Sequence, residues 1–506
     1  MAGLDYAHRR LVNTLGPERV ARGEHERMVY SHDFASLPKI ALIQWRLYPD
    51  FVVLPRTTPE VAAIVKLSDE TGLPITPRGG GTGSVGAAVP NRGGVLLDLR
   101  SMNRIVSLDP SARTVTSEAG VTWRDLDAFL GSKGFALPVL PDAAPASTIG
   151  GAINGGAAGT GSFRHGTLRG SVLDLEVVLP DGSVLRTGSA VDLGGAFADL
   201  TPLFFGAEGT LGIVTQATLR VIPKPETSRA AAYSFASAAA AARFLRGIVD
   251  AGLMPFHAAL LDREHFVFER ALRADAPEPA DTALVSLQGP KDEVADLEKS
   301  VDALAASVGG AKVPAAVALE LWERRFMMYG ARRLSRGLVI ARTLVPVSRL
   351  EEGVGRARDL IHQLKLNGAV HATLLDTSTA YLAPYVLMDD TAPSGGTALG
   401  FVKKLGDAAL ELGGHPMGLG LFMVFNLLKM HGRATGAMGS VKGVFDPNRK
   451  VNGGKTTELW TKFTWPVINS IPPGMMGFGL DAAAFLRRIK PTRDTFVRAY
   501  ERAKGA

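Results

Sequence analysis

The stretch that decides the fold is "PITPRGGGTGSVGAAVPNRGGVLLDL", residues 74–99. It contains a formal G-x-G-x-x-G from Gly81 to Gly86. A dinucleotide fingerprint needs its last glycine to open a helix that faces the pyrophosphate. Here Pro90, Asn91, Gly93 and Gly94 follow, and then the strand-like "VLLDL", which leaves no room for that helix. A Walker loop needs Lys and Ser/Thr after its final glycine, and Ala87 and Ala88 stand there instead. What remains is a loop between two strands. Its glycines bare several backbone N–H groups in a concave turn that can hold a phosphate.

The flanking sequence supports this. Upstream, "TTPEVAAIVKLSDETG" reads as a helix with Thr58 as N-cap, Pro59 at the first position, Val61, Ile64, Val65 and Leu67 on one face, and Gly72 as terminator. Downstream, "TWRDLDAFLGSKG" gives a second short amphipathic helix ended by Gly134. The run "STIGGAINGGAAGTG", 147–161, is dense enough in Gly and Ala for a large flat ligand to approach the backbone. "LDLEVVLPDGSVLRTG" is a hairpin that turns at Asp181-Gly182, and "FFGAEGTLGIVTQATLRVIPKP" is a glycine turn leading into a strand. Between 226 and 444 the order strand then helix recurs three times, which predicts an antiparallel sheet covered by helices.

Composition narrows the function classes. The chain has 506 residues, 46% of them hydrophobic and 21% charged, as in ordinary globular proteins of more than one domain. Its net charge of +7 is a small excess of Lys+Arg 56 over Asp+Glu 49. The basic runs "WERRF" and "ARRLSR" lack interleaved aromatics, which argues against nucleic acid as a partner and fits an acidic substrate better. With Cys 0, the chain offers no disulfide, thiolate cluster or Cys nucleophile. No apolar run approaches the roughly 20 residues of a membrane span, and no signal sequence is read at the N-terminus, so a cytoplasmic protein is expected.

Four ordered segments, "PRGGGTGSVGAAVP", "STIGGAI", "LEVVLPDGSVLRTG" and "LFFGAEGTLGIVTQATLRVIPKP", resemble the FAD-binding domain of the vanillyl-alcohol oxidase and p-cresol methylhydroxylase superfamily. More narrowly, they are similar to its glycolate oxidase and D-lactate dehydrogenase branch. The late segment "VKGVFDPNRKVNGGK" resembles that branch's D-P-N-x-x-x-N-P-G-K close, with Gly453 in place of Pro. The resemblance implies an α+β chain: a helical lead-in at 1–44, a two-subdomain FAD-binding domain at 45–225, an α+β cap with an antiparallel sheet at 226–444, and a return to the FAD domain at 445–506.

Carried over by motif, Arg78, Gly79, Gly80, Gly81, Thr82 and Gly83 would cradle the FAD pyrophosphate. Pro141, Asp142, Ser147, Thr148, Gly150, Gly151, Asn154, Gly159, Gly161 and Ser162 would line the ribityl and flavin side. Glu208, Gly209, Gly212, Ile213 and Val214 would meet the adenosine end. With no His between Arg78 and Gly86, the resemblance implies noncovalent FAD, His165 being the one alternative.

The implied reaction is hydride transfer from a hydroxyacid or alcohol to flavin N5 and on to an external acceptor. It needs a base for the hydroxyl proton and a cation for a carboxylate. Candidate bases are His371, His415 and the phenol Tyr381; candidate clamps are Arg325 and Arg342, and each of these side chains is equally compatible with simple packing. The branch's E-H-G-I-G is replaced by "PMGLG" at 416–420, and of its metal-binding strand motif "VHATLLDTSTAYL" keeps the first His and at most Asp376, so no metal is expected. The alternatives are a nonredox flavoenzyme of the alkyl-dihydroxyacetonephosphate synthase type, whose paired His run is absent, and a flavin electron-transfer subunit. Electrons would leave to an iron–sulfur subunit or an electron-transfer flavoprotein, with peripheral membrane contact through such a partner. The tail's Pro472, Pro473, Met475, Met476, Phe478, Arg487, Arg488 and Lys490 form a candidate docking segment.

Overall fold

A computed structural model describes residues 2–37, 45–189, 199–389, 394–432 and 434–456. The candidate docking segment at 472–490 lies outside the described residues.

The helix expected before the glycine loop runs Thr58–Thr71. Its cap is Thr57 rather than Thr58: the Thr57 hydroxyl accepts from the Glu60 N–H at 3.4 Å, while Thr58 donates its hydroxyl to Glu176. Gly72 ends the helix at φ +68, a conformation that favours glycine. This helix connects strand Phe51–Val53 to strand Ile75–Arg78, and Val95–Asp98 lies between those two and parallel to both. Val20–Ala21 adds an antiparallel edge. The glycine loop therefore joins two neighbouring parallel strands, without the helical crossover such strands normally need.

A second, five-stranded sheet is antiparallel throughout, in the order 184–186, 172–178, 213–220, 114–118 and 105–109. Its hairpin turns where the sequence placed it, with Gly182 at φ +80. Val178 and Ile213 of this sheet enter the core of the first. The two sheets thus share apolar contacts, and their facing loops are held in register.

From residue 227 onward the chain builds an eight-stranded sheet in which every neighbouring pair is antiparallel, as the repeated strand-helix units predicted. Helices Ala238–Asp250, Lys291–Ser307, Leu350–Gln363 and Ser394–Glu411 cover one face, against Ala258, Leu260, Ala372, Leu382 and Val345. Side chains alternate across a strand, so the residues between these point the other way. The register aligns His415, Leu344, Tyr381, Thr373, Ala259 and Leu284 in one row across that opposite face. Near this row the two parts of the chain meet: the Leu421 N–H donates to the Val85 carbonyl at 2.8 Å, beside the glycine loop.

Candidate active site

The glycine loop is held from behind. The Phe34 and Ala35 N–H groups donate to the carbonyls of Gly81 and Gly83 at 2.8 and 3.1 Å, and the buried Asp33 carboxylate accepts from the Ala35 and Ala88 amides. With the carbonyls engaged on that side, the amides of Gly80, Gly81, Thr82 and Gly83 find no acceptor among the described residues. They face an open cleft whose other walls are 147–155 and 208–214. Unpaired amide donors in a concave turn, with the Arg78 guanidinium beside them, suit a pyrophosphate. A methyl on Gly79 would collide with the Thr148 hydroxyl, and one on Gly80 with the Ala146 carbonyl, so this approach of loop to wall requires glycine.

The third wall turns at Glu208, a non-glycine residue at φ +53. Its N–H donates to the Asn154 carbonyl at 2.7 Å, and its carboxylate accepts from the Leu419 and Gly420 amides and the Thr456 hydroxyl at 2.8–3.0 Å. Burial raises its pKa, and the Thr456 and amide donors oppose that shift. Glu208 thus pins the loop at 419–420 and the chain's last described segment to the cleft wall, and its carboxylate is spent on protein groups.

At the inner end lies Arg342, which lines the cleft. Its Nε donates to the Tyr381 hydroxyl at 3.0 Å, and the rest of its guanidinium has no partner among the described residues. Burial alone would lower the Arg342 pKa, but the neighbouring Tyr381, Tyr329 and Asp142 groups outweigh it and leave the guanidinium firmly charged. Asp142 accepts no hydrogen bond from a described residue. Burial pushes its carboxyl up to about 6, against the pull of Arg342. Burial also raises Tyr381 and Tyr329, so both phenols stay protonated at neutral pH. The group therefore combines a cation with free donors, a carboxylate that can take a proton above about pH 6, and two phenols.

Two family profiles match: the FAD binding domain over residues 49–188, and the C-terminal domain of FAD linked oxidases over residues 224–456. Glycolate oxidase subunit GlcD of Bacillus subtilis is 31% identical over 462 residues, covering 88% of this chain and 95% of its own length. The chain belongs to the FAD-linked oxidase family. It is an FAD-dependent oxidoreductase of the glycolate oxidase and D-lactate dehydrogenase type. A probable mitochondrial D-lactate dehydrogenase of Danio rerio is 32% identical over 81% of this chain and 85% of its own length. Among solved structures, p-cresol methylhydroxylase with substrate bound superposes with a TM-score of 0.77 at 19% identity, covering 91% of this chain and 98% of that one. Alkyldihydroxyacetonephosphate synthase gives 0.70 at 21% identity, covering 89% and 86%. At these identities both likenesses show the fold alone, and that fold is the expected α+β FAD-linked oxidase architecture.

The cleft brings together Arg78, Gly79, Gly80, Gly81, Thr82, Gly83, Ser147, Thr148, Gly150, Gly151, Asn154, Glu208, Gly209, Ile213 and Val214. Pro141, Gly159, Gly161, Ser162 and Gly212 are not among the lining residues, and Asp142, also outside that set, interacts by charge with the lining residue Arg342. Pro141 pairs with Gly159 in a two-stranded ladder that sets Asp142 in place, Gly161 turns at φ +90, and a side chain on Gly212 would meet Val177.

The expected bases and clamp separate. His371 is 3% exposed within the sheet, its Nδ1 is buried without a partner, and burial beside His265 and His257 lowers its pKa to about 3, too acidic for a base near neutrality. His415 sits exposed on the edge strand with Nδ1 turned to the Pro416 carbonyl, away from the cleft lining. Arg325 lies 3.9 Å over the Trp322 ring and 4.1 Å over Phe326, its Nη1 donates to the Trp322 carbonyl, and it is not among the residues lining the cleft. Of the expected bases and clamps, Tyr381 and Arg342 reach the inner cluster. Sequence reasoning missed Tyr329 and Asp33, which carry no local signature. It placed Asp142 as a lining residue, because nothing local announces the burial that shifts its carboxyl.

Proposed function

We propose that the protein oxidises a small hydroxyacid or alcohol, a 2-hydroxyacid of the D-lactate or glycolate kind being favoured, with FAD held noncovalently. In this reading residues 45–225 and the close at 445–456 hold the cofactor, and 226–444 present the substrate. The observation that carries it is the half-buried Arg342 fork, which lines the cleft with donors that have no partner among the described residues. A planar guanidinium recognises a carboxylate through two parallel hydrogen bonds. Asp142 then accepts the substrate's hydroxyl proton, and the neutral Tyr381 phenol, fixed by Arg342, orients the oxygen that carries it. FAD, when bound, supplies a two-electron acceptor for the substrate's C–H hydride. The amides of Gly80 to Gly83 hold its pyrophosphate. His165, stacked edge-on at 5.9 Å from Phe256, stands outside the cleft lining, in keeping with noncovalent attachment. With Cys 0 the chain passes electrons outward, to a partner such as an iron–sulfur subunit or an electron-transfer flavoprotein.

Anaerobic flavin bleaching by a panel of D- and L-2-hydroxyacids, their methyl esters and the parent alcohols tests this. A free acid should bleach and its ester should not. Arg342→Met should weaken the substrate by about 2 kcal/mol, roughly 30-fold, with FAD affinity kept. Equal bleaching by ester and acid, or an unaffected Arg342→Met, refutes the clamp. A flavin that no substrate bleaches makes the protein an electron-transfer subunit or a nonredox enzyme.

A further inference from the structure

The last described segment, "VNGGKT" at 451–456, carries a buried cation that the site described above does not use. Lys455 is 1% exposed. Its Nζ donates to the Ala87 carbonyl at 2.8 Å and to Asn452 Oδ1 at 2.7 Å. An ammonium has three donors, and the third finds no acceptor among the described residues. Two carboxylates face it at a distance without pairing: Asp33 from the N-terminal segment and Glu208 from the cleft wall. Both are occupied elsewhere, Asp33 by the Ala35 and Ala88 amides and Glu208 by Leu419, Gly420 and Thr456. A buried ammonium is costly unless an anion compensates it. Ala87, whose carbonyl Lys455 grips, lines the cleft four residues beyond Gly83.

We propose that Lys455 is a positioning residue for the cofactor, holding the glycine loop in its anion-binding shape through Ala87 and supplying the charge that the FAD pyrophosphate completes. This rests on the cleft being the FAD site. The same lysine makes cofactor retention depend on pH. The charged groups facing it are Asp33 and Glu208, with Arg78 acting on Asp33 in turn. Without the cofactor, burial lowers Lys455 to about 7 despite those carboxylates. An anion in the cleft favours the protonated form, so the bound state holds more protons and affinity falls as pH rises through and above about 7.

The experiment titrates FAD-stripped protein with FAD from pH 6 to 9, following flavin fluorescence, and measures proton uptake on binding by calorimetry in buffers of different ionisation enthalpy. The wild type should take up a fraction of a proton near pH 7 to 8 and lose about tenfold in affinity across the range. Lys455→Met should bind at least about tenfold more weakly at pH 6, with a flat profile. Lys455→Arg, which stays charged throughout, should keep near-parental affinity at pH 6 and also lose the pH dependence. No proton uptake by the wild type, or a Lys455→Met profile parallel to the parent's, overturns the proposal. A Gly80→Ala arm separates the two readings. If that variant loses FAD while Lys455→Met does not, the lysine proposal fails alone; if neither loses FAD, the cleft itself is the wrong site.

Discussion

Gly80→Ala is the smallest change that should open the cofactor cleft. The added methyl would overlap the Ala146 carbonyl oxygen, with the carbonyl carbon at 3.0 Å and Ser147 Cα at 3.5 Å. All three neighbours are backbone, so no side chain can swing away. Restoring ordinary contact requires the loop and the 146–148 wall to separate by about 1 Å, the kind of overpacking that costs about 1–3 kcal/mol. Both surfaces line the cleft, through Gly80 on one side and Ser147 and Thr148 on the other. If the strain is relieved by widening the cleft, the cost falls on cofactor binding, and FAD affinity should drop roughly 5- to 150-fold. Fluorescence titration of FAD-stripped protein measures this. Gly83→Ala is the companion, because its methyl meets no protein atom nearer than Asp33 Oδ2 at 3.7 Å; loss of FAD there reports the ligand's own approach. Parental affinity in Gly80→Ala, at an unchanged melting temperature, refutes the assignment of this loop.

Two pH predictions follow from burial. The Asp142 carboxyl, pushed up to about 6, accepts protons only above that value, so the rate of flavin reduction by substrate should rise about tenfold per unit below pH 6 and level off above it; Asp142→Asn should be slow and flat, and an unaltered profile in that variant removes Asp142 as the base. Burial lowers His257 and His371 to about 3 and His265 to about 4, below the unfolded value near 6.5. At these three groups the unfolded chain then binds more protons than the native one between those values, so the histidines contribute a fall in melting temperature as pH drops below about 6.5, which the raised carboxyls of Asp33, Asp142 and Asp262 oppose. His371→Asn should flatten that fall while leaving flavin reduction within a few-fold of normal, as rapid-mixing kinetics would show, and a 100-fold loss would restore His371 as the base.

The sequence by itself determined the glycine loop between two strands and the layout of the sheets, because both rest on local rules. A helix at 58–71 stopped by glycine, a glycine run too short for a following helix, and a turn at Asp181-Gly182 each depend on neighbours in the chain, so their spacing can be read directly. Even there the cap shifted by one residue, from Thr58 to Thr57, since two adjacent threonines satisfy the same rule and Glu176, a distant residue, claims the second hydroxyl. The chemistry at the inner end was decided by tertiary structure. Arg342, Tyr381, Tyr329 and Asp142 come from four separate segments, and what each can do depends on burial and on the charge beside it, neither of which spacing records. The same holds in reverse for His371 and Arg325: their side chains suit catalysis, but the sheet interior keeps one neutral and the Trp322 and Phe326 rings engage the other. Lys455 belongs to a motif visible in the sequence, yet its place beneath the glycine loop exists only because the folded chain brings residues 33, 87 and 455 together.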